Sequence, residues 1–172
     1  MIWRFMALLA CGVLLSGCYE SQDLLLDKDA ALQPLRAGVH TLIAEDGTVT
    51  RLSLSLDPDG WYEVQEIKDG GGDGPHKVLV NALDEDGTRS LYAYATYDGH
   101  ESAYVYGVIA VNADGGVERK ASDCRRAADA KIAADSGADR LTDSCQFNRN
   151  DKALLNALKA LAKNPKHWDK LD

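Results

Sequence analysis

The side chains with the most chemical potential are four histidines, four cysteines and several clusters of carboxylates. A metal centre would need His or Cys pairs at ligand spacing, and His40, His76, His100 and His167 are scattered singly along the chain. No metal and no cofactor is therefore assigned. Acid–base chemistry could be built from His100 beside Asp98 and Glu101, or from His76 near Asp73. The acids of Asp57-Pro58-Asp59 or Asp84-Glu85-Asp86 could pair as the two carboxylates of glycoside hydrolysis do. Such work needs a group held within hydrogen-bond reach of a substrate proton, and close sequence neighbours in a turn usually point into water. No residue is assigned a catalytic role, and an enzymatic reading would need a closed pocket with convergent polar side chains. The segment Asp69-Gly70-Gly71-Gly72-Asp73-Gly74 lacks the Lys and Ser/Thr of a phosphate loop, and it lacks the oxygen-rich pattern of a calcium loop. It reads as a glycine-rich hairpin connection whose Asp69 and Asp73 could meet a partner.

A second group is aromatic. Tyr92, Tyr94, Tyr97, Tyr104 and Tyr106 fall on one expected hairpin, and tyrosine combines contact area with a polar tip, as interfaces favour. Loop parity decides their use. An odd loop about Asp98-Gly99 puts Tyr92, Tyr94, Tyr104 and Tyr106 on one face, where they form a partner surface; an even loop splits them between faces.

The N-terminus carries the most specific pattern. Met1 to Phe5 holds one positive charge and no acid, and an apolar run extends from Met6 to Leu15. That run is too short for a spanning helix, which needs about 20 residues; charge, short apolar stretch and small residues in that order mark a cleaved export signal. The closing residues Leu15-Ser16-Gly17-Cys18 resemble the lipobox of bacterial lipoproteins. The resemblance covers the first 18 residues only. It implies cleavage before Cys18, a diacylglycerol on the Cys18 sulfur and a further acyl chain on the new terminus. Two or more chains make a stable anchor where one is marginal, each buried methylene contributing about 0.8 kcal/mol. By the same resemblance, Tyr19 in place of an Asp after the lipid site favours the outer over the inner membrane, with the domain facing the periplasm. The expected organisation is a signal peptide at 1–17, a lipidated tether at 18–22 and a single globular domain at 23–172.

With Cys11 lost in the signal and Cys18 taken by lipid, Cys124 and Cys145 remain. In an oxidising compartment such a pair reads as a disulfide. Charge narrows the partners. With Arg4 removed, the 19 Lys and Arg of the chain become 18 against 27 Asp and Glu, a balance that repels nucleic acid phosphates.

The elements that must position these groups are mostly strands. Asp-Gly pairs recur at 46, 59, 73, 86, 98 and 114, with spacings of 13, 14, 13, 12 and 16. Asp-Gly between apolar stretches is a strong hairpin signal. Leu52, Leu54 and Leu56 alternate with polar residues at the period of a half-buried strand; segments 61–67, 76–83, 90–97 and 103–111 are rich in β-branched and aromatic residues. Segments 90–97 and 103–111 are apolar on both faces and should be covered on each side. Helices are expected over 22–32, over 122–134 with Ser122 as N-cap and Gly137 beyond the end, and from Asn150 or Asp151 up to Asn164-Pro165. The last carries Leu154, Leu155, Leu158, Leu161 and Ala162 as one apolar stripe. The fold expected is α+β: an antiparallel up-and-down meander of about six or seven strands with C-terminal helices on one face, or alternatively a small closed β-barrel. The function expected is a non-enzymatic envelope lipoprotein, held to the membrane by its acyl chains, that binds an envelope protein or cell-wall partner. The alternative is a periplasmic inhibitor or immunity lipoprotein acting on a toxin or hydrolase.

Overall fold

The computed structural model describes residues 19–68, 74–98, 103–141 and 143–172. Cys18, Asp69, Asp73, His100 and Glu101 lie outside the described residues. Among those described, the strands are β1 (Tyr19–Ser21), β2 (Gly38–Ile43), β3 (Val49–Leu56), β4 (Tyr62–Glu66), β5 (His76–Glu85), β6 (Arg89–Asp98), β7 (Ala103–Asn112), β8 (Val117–Ala121), β9 (Asp139–Arg140), β10 (Cys145–Gln146) and β11 (Asp169–Leu171). Two helices, α1 (Ala127–Asp135) and α2 (Asp151–Lys163), follow β8 and β10.

Strands β2 to β8 pair antiparallel with their sequence neighbours, and β11 enters between β8 and β2 to close the ring. The result is an eight-stranded antiparallel β-barrel. This corrects the open meander and matches the alternative reading. The physical reason is the C-terminal triplet Asp169–Leu171. Lys170 and Leu171 pair with Ile43 and Leu42 on one side, and all three residues pair with Arg119, Glu118 and Val117 on the other. Closure removes the exposed edges that an open sheet would leave at β2 and β8.

The hairpin turns follow the Asp-Gly signal. Gly47, Gly60, Gly87 and Gly115 all have positive φ, and the preceding acids or their neighbours cap the turn. Asp46 Oδ1 accepts the Thr48 amide at 2.9 Å, and Asp57 Oδ1 accepts the amides of Asp59 and Trp61 at 2.9 Å.

Two cores result. Inside the barrel are Leu42, Leu52, Leu54, Tyr62, Val80, Tyr94 and Ile109. Outside it, Leu79, Leu91, Ala93, Ala95, Val108 and Ala110 on β5, β6 and β7 pack against Leu154, Leu158 and Leu161 of α2. These three leucines are fully buried. The strands apolar on both faces are thus covered on both, by barrel interior and by helix. Helix α2 is capped as expected, Asn150 Oδ1 accepting the Ala153 amide at 3.0 Å.

Two helical expectations fail. Segment 22–32 forms only one turn of 3-10 helix, at Lys28–Ala30. It is held instead to the outside of β5: the Asn81 side-chain amide donates to the carbonyls of Asp27 and Ala30, and the Leu32 amide donates to Val80 O. Ser122 does not cap α1, which starts five residues later and lacks a side-chain cap. Its hydroxyl donates to Tyr106 O at 2.8 Å and accepts the Tyr19 amide at 3.0 Å.

Candidate functional site

The hairpin β6–β7 pairs Tyr94 with Gly107, Ala95 with Tyr106 and Tyr97 with Tyr104. That register splits the tyrosines. Tyr92 and Tyr94 face the barrel interior, and Tyr104 and Tyr106 face the helix-covered wall. Tyr94 and Tyr106 are buried, whereas Tyr92 and Tyr104 are half-buried; no single aromatic face forms. Tyr97 is the member exposed to solvent, at 44%.

The buried phenols act as fasteners. Tyr106 Oη shares a hydrogen bond with Ser21 Oγ (2.7 Å), accepts the Leu25 amide (3.0 Å) and donates to Asp23 O (3.1 Å). Tyr62 Oη accepts from the Leu35 amide and donates to its carbonyl, both at 2.8 Å. Burial raises the pKa of both above the usual phenol value.

The barrel interior keeps a small, mostly apolar cavity of about 90 Å³, lined by leucines, valines and Ile109 together with Tyr62, Tyr94, His76, Thr96 and Arg119. An apolar cavity of roughly 150 Å³ holds a benzene, so this one is a gap in a packed core rather than a ligand chamber. Thr96 Oγ1 is buried there without a hydrogen-bond partner among the described residues.

The acids considered for catalysis serve the turns. Asp57 pairs with Lys77 at 2.7 Å, and that bond, with the Trp61 amide, holds its carboxyl below the usual range. Asp86 pairs with Arg89 at 2.6 Å, and Asp84 accepts the Glu85 amide at 2.9 Å. His40 Nε2 sits 2.8 Å from Arg36 O, and His167 Nδ1 lies 2.5 Å from Glu45 Oε2. Among the described residues no three His, Cys, Asp or Glu side chains gather as metal ligands.

The disulfide is present: Cys124 and Cys145 are joined, with Cα atoms 6.1 Å apart. It ties β10 to the corner between β8 and α1. Between them lies β1, which pairs parallel with β10 and antiparallel with β7. Residues 19–21, expected in a tether, are therefore part of the domain. Tyr19 is fully buried, its ring edge-on to Phe147 at 5.3 Å and its hydroxyl donating to Asp129 O at 2.7 Å. A three-residue strand is too short to carry a readable period.

Beside Ser122 opens a polar groove of about 470 Å³. It is lined by Ala44, Glu45, Asp123, Arg126 and His167 among others. Arg126 Nη2 bonds Asp129 Oδ2 at 2.9 Å and Ala121 O at 2.6 Å.

Fold and site together define a small closed antiparallel β-barrel flanked by two helices and stapled by one disulfide. No protein-family description, curated protein or solved structure matches the chain.

Proposed function

We propose that this protein is an exported, membrane-anchored envelope lipoprotein, acylated at Cys18, whose barrel is a non-enzymatic binding module for an envelope protein or cell-wall partner. The observation that carries the reading is the Cys124–Cys145 disulfide, because such bonds persist in oxidising compartments. The reading of Tyr19 favours the outer membrane, with the barrel facing the periplasm.

Replacing the acylated residue tests the anchoring. Cys18→Ala should be released from the membrane fraction without detergent, while the unaltered chain requires detergent. Crosslinking in the intact envelope followed by capture should return a recurring envelope partner; a toxin or hydrolase in that place would favour an inhibitor.

A further inference from the structure

Two polar atoms at the gap inside the barrel are left unsatisfied by the protein. Thr96 Oγ1 on β6 and Arg119 Nε on β8 are both buried, and neither has a hydrogen-bond partner among the described residues. Both residues line the same space of about 90 Å³. Arg119 bonds Asp169 of β11 through Nη2 at 2.7 Å, which leaves Nε without an acceptor. The Tyr94 hydroxyl is a third polar group at this gap. Its ring lies over Gly107 with the hydroxyl towards β8, since a Cβ on Gly107 would be 2.5 Å from Tyr94 Oη and 2.6 Å from Lys120 O. Burial raises the Tyr94 pKa, the Arg119 charge opposes that shift and the Asp169 charge adds to it, as fits a hydroxyl close to their ion pair.

A cavity lined by hydrocarbon alone stays dry, whereas buried water settles where two to four polar partners would otherwise be unsatisfied. Most of this wall is apolar, so the three polar groups decide the outcome. A buried donor with no acceptor has lost its hydration without compensation, and immobilising a water costs less than that. Size permits it, because one water needs only about 10–15 Å³ of such space. The roles also fit: Arg Nε only donates, while the two hydroxyls both donate and accept. We propose that the barrel interior is an internal hydration site, in which a short chain of ordered water satisfies Thr96 Oγ1, Tyr94 Oη and Arg119 Nε between walls of leucine and valine. The proposal is independent of anchoring at Cys18. Because Arg119 also holds Asp169, the water supports the seam at which β11 joins β8.

Two measurements on the full chain in detergent solution test this. Oxygen-17 relaxation dispersion registers long-lived water and is blind to hydroxyl protons. Its amplitude should fall by at least one water in Thr96→Val and stay at the native level in Thr96→Ser. Xenon enters dry apolar cavities, so methyl shifts of Val78, opposite Thr96, and Ile109, opposite Arg119, should show no saturable response to xenon pressure in the native chain. A saturable xenon shift at those methyls would overturn the proposal, and it can be read even if a variant does not fold. Equal dispersion amplitudes in the native chain and Thr96→Val would overturn it as well.

Discussion

Lys120 shows what a single buried charge does here. It lies on the outer face of β8, fully buried. Its ammonium donates to Asn164 O and Lys166 O, each at 2.6 Å, and lies 5.3 Å over the Trp168 ring. It therefore fastens the end of α2 to the barrel, at the helix terminus where cations are favoured. Burial lowers its pKa from 10.5 to about 8, with the Asp129 charge pulling the other way. The unfolded chain keeps its proton up to the ordinary value, so between about pH 8 and 10 it binds more protons than the folded one, and stability must rise with pH. Denaturant midpoints of the native protein relative to Lys120→Met should increase from pH 7.5 to 9.5; a flat difference would show that Lys120 is not desolvated. The window closes near pH 10. There Tyr62, Tyr94 and Tyr106, whose pKa values burial raises, begin to favour the unfolded chain.

Gly107 is a second residue fixed by close approach. A Cβ there would lie 2.5 Å from Tyr94 Oη and 2.6 Å from Lys120 O. Tyr94 is packed inside the barrel and the carbonyl is backbone, so neither can yield cheaply. Gly107→Ala should cost about 1–3 kcal/mol of stability, in the range of overpacked cores, read from chemical unfolding.

Among the elements, β11 has the largest consequence for its size. Three residues bridge β2 and β8, and Asp172 adds reciprocal backbone bonds with Thr41 at 2.8 and 2.9 Å. Deleting residues 169–172 should open the ring between β2 and β8 and expose two edges, which predisposes a chain to pair with copies of itself. Size-exclusion chromatography should then show association where the whole chain elutes as one species; an unchanged profile and stability would mean that β11 does not close the barrel. The same element explains where sequence reading stopped. The Asp-Gly turns, the leucine alternation in β3 and the stripe of α2 announce themselves because each repeats a period over many residues. Closure rests on Asp169-Lys170-Leu171, which follow Pro165 and contain no alternation long enough to read. Segment 22–32, expected to be helical, forms only one 3-10 turn. It is held to β5 by the Asn81 side chain, a contact between positions more than 50 apart. The tyrosine arrangement hung on loop parity alone, and the register of β6 on β7 decided it.

At the scale of the whole molecule, one chain of contacts runs from the disulfide to the N-terminal strand. Cys124–Cys145 fixes β10, β10 and β7 hold β1, and β1 begins one residue after the proposed lipid site. In the chain-entropy view the staple contributes roughly 3 kcal/mol for a loop of this length. It also anchors the strand through which any pull from the bilayer would pass. In the proposed reading, barrel and staple would be joined to the membrane through acylation at Cys18. Intact mass spectrometry of the protein extracted from native membranes tests that most directly. The expected result is a chain that begins at Cys18 and carries the mass of two or three acyl chains on that residue, with the Cys124–Cys145 bond intact. A mature terminus at any other residue, or an unmodified Cys18, would contradict it.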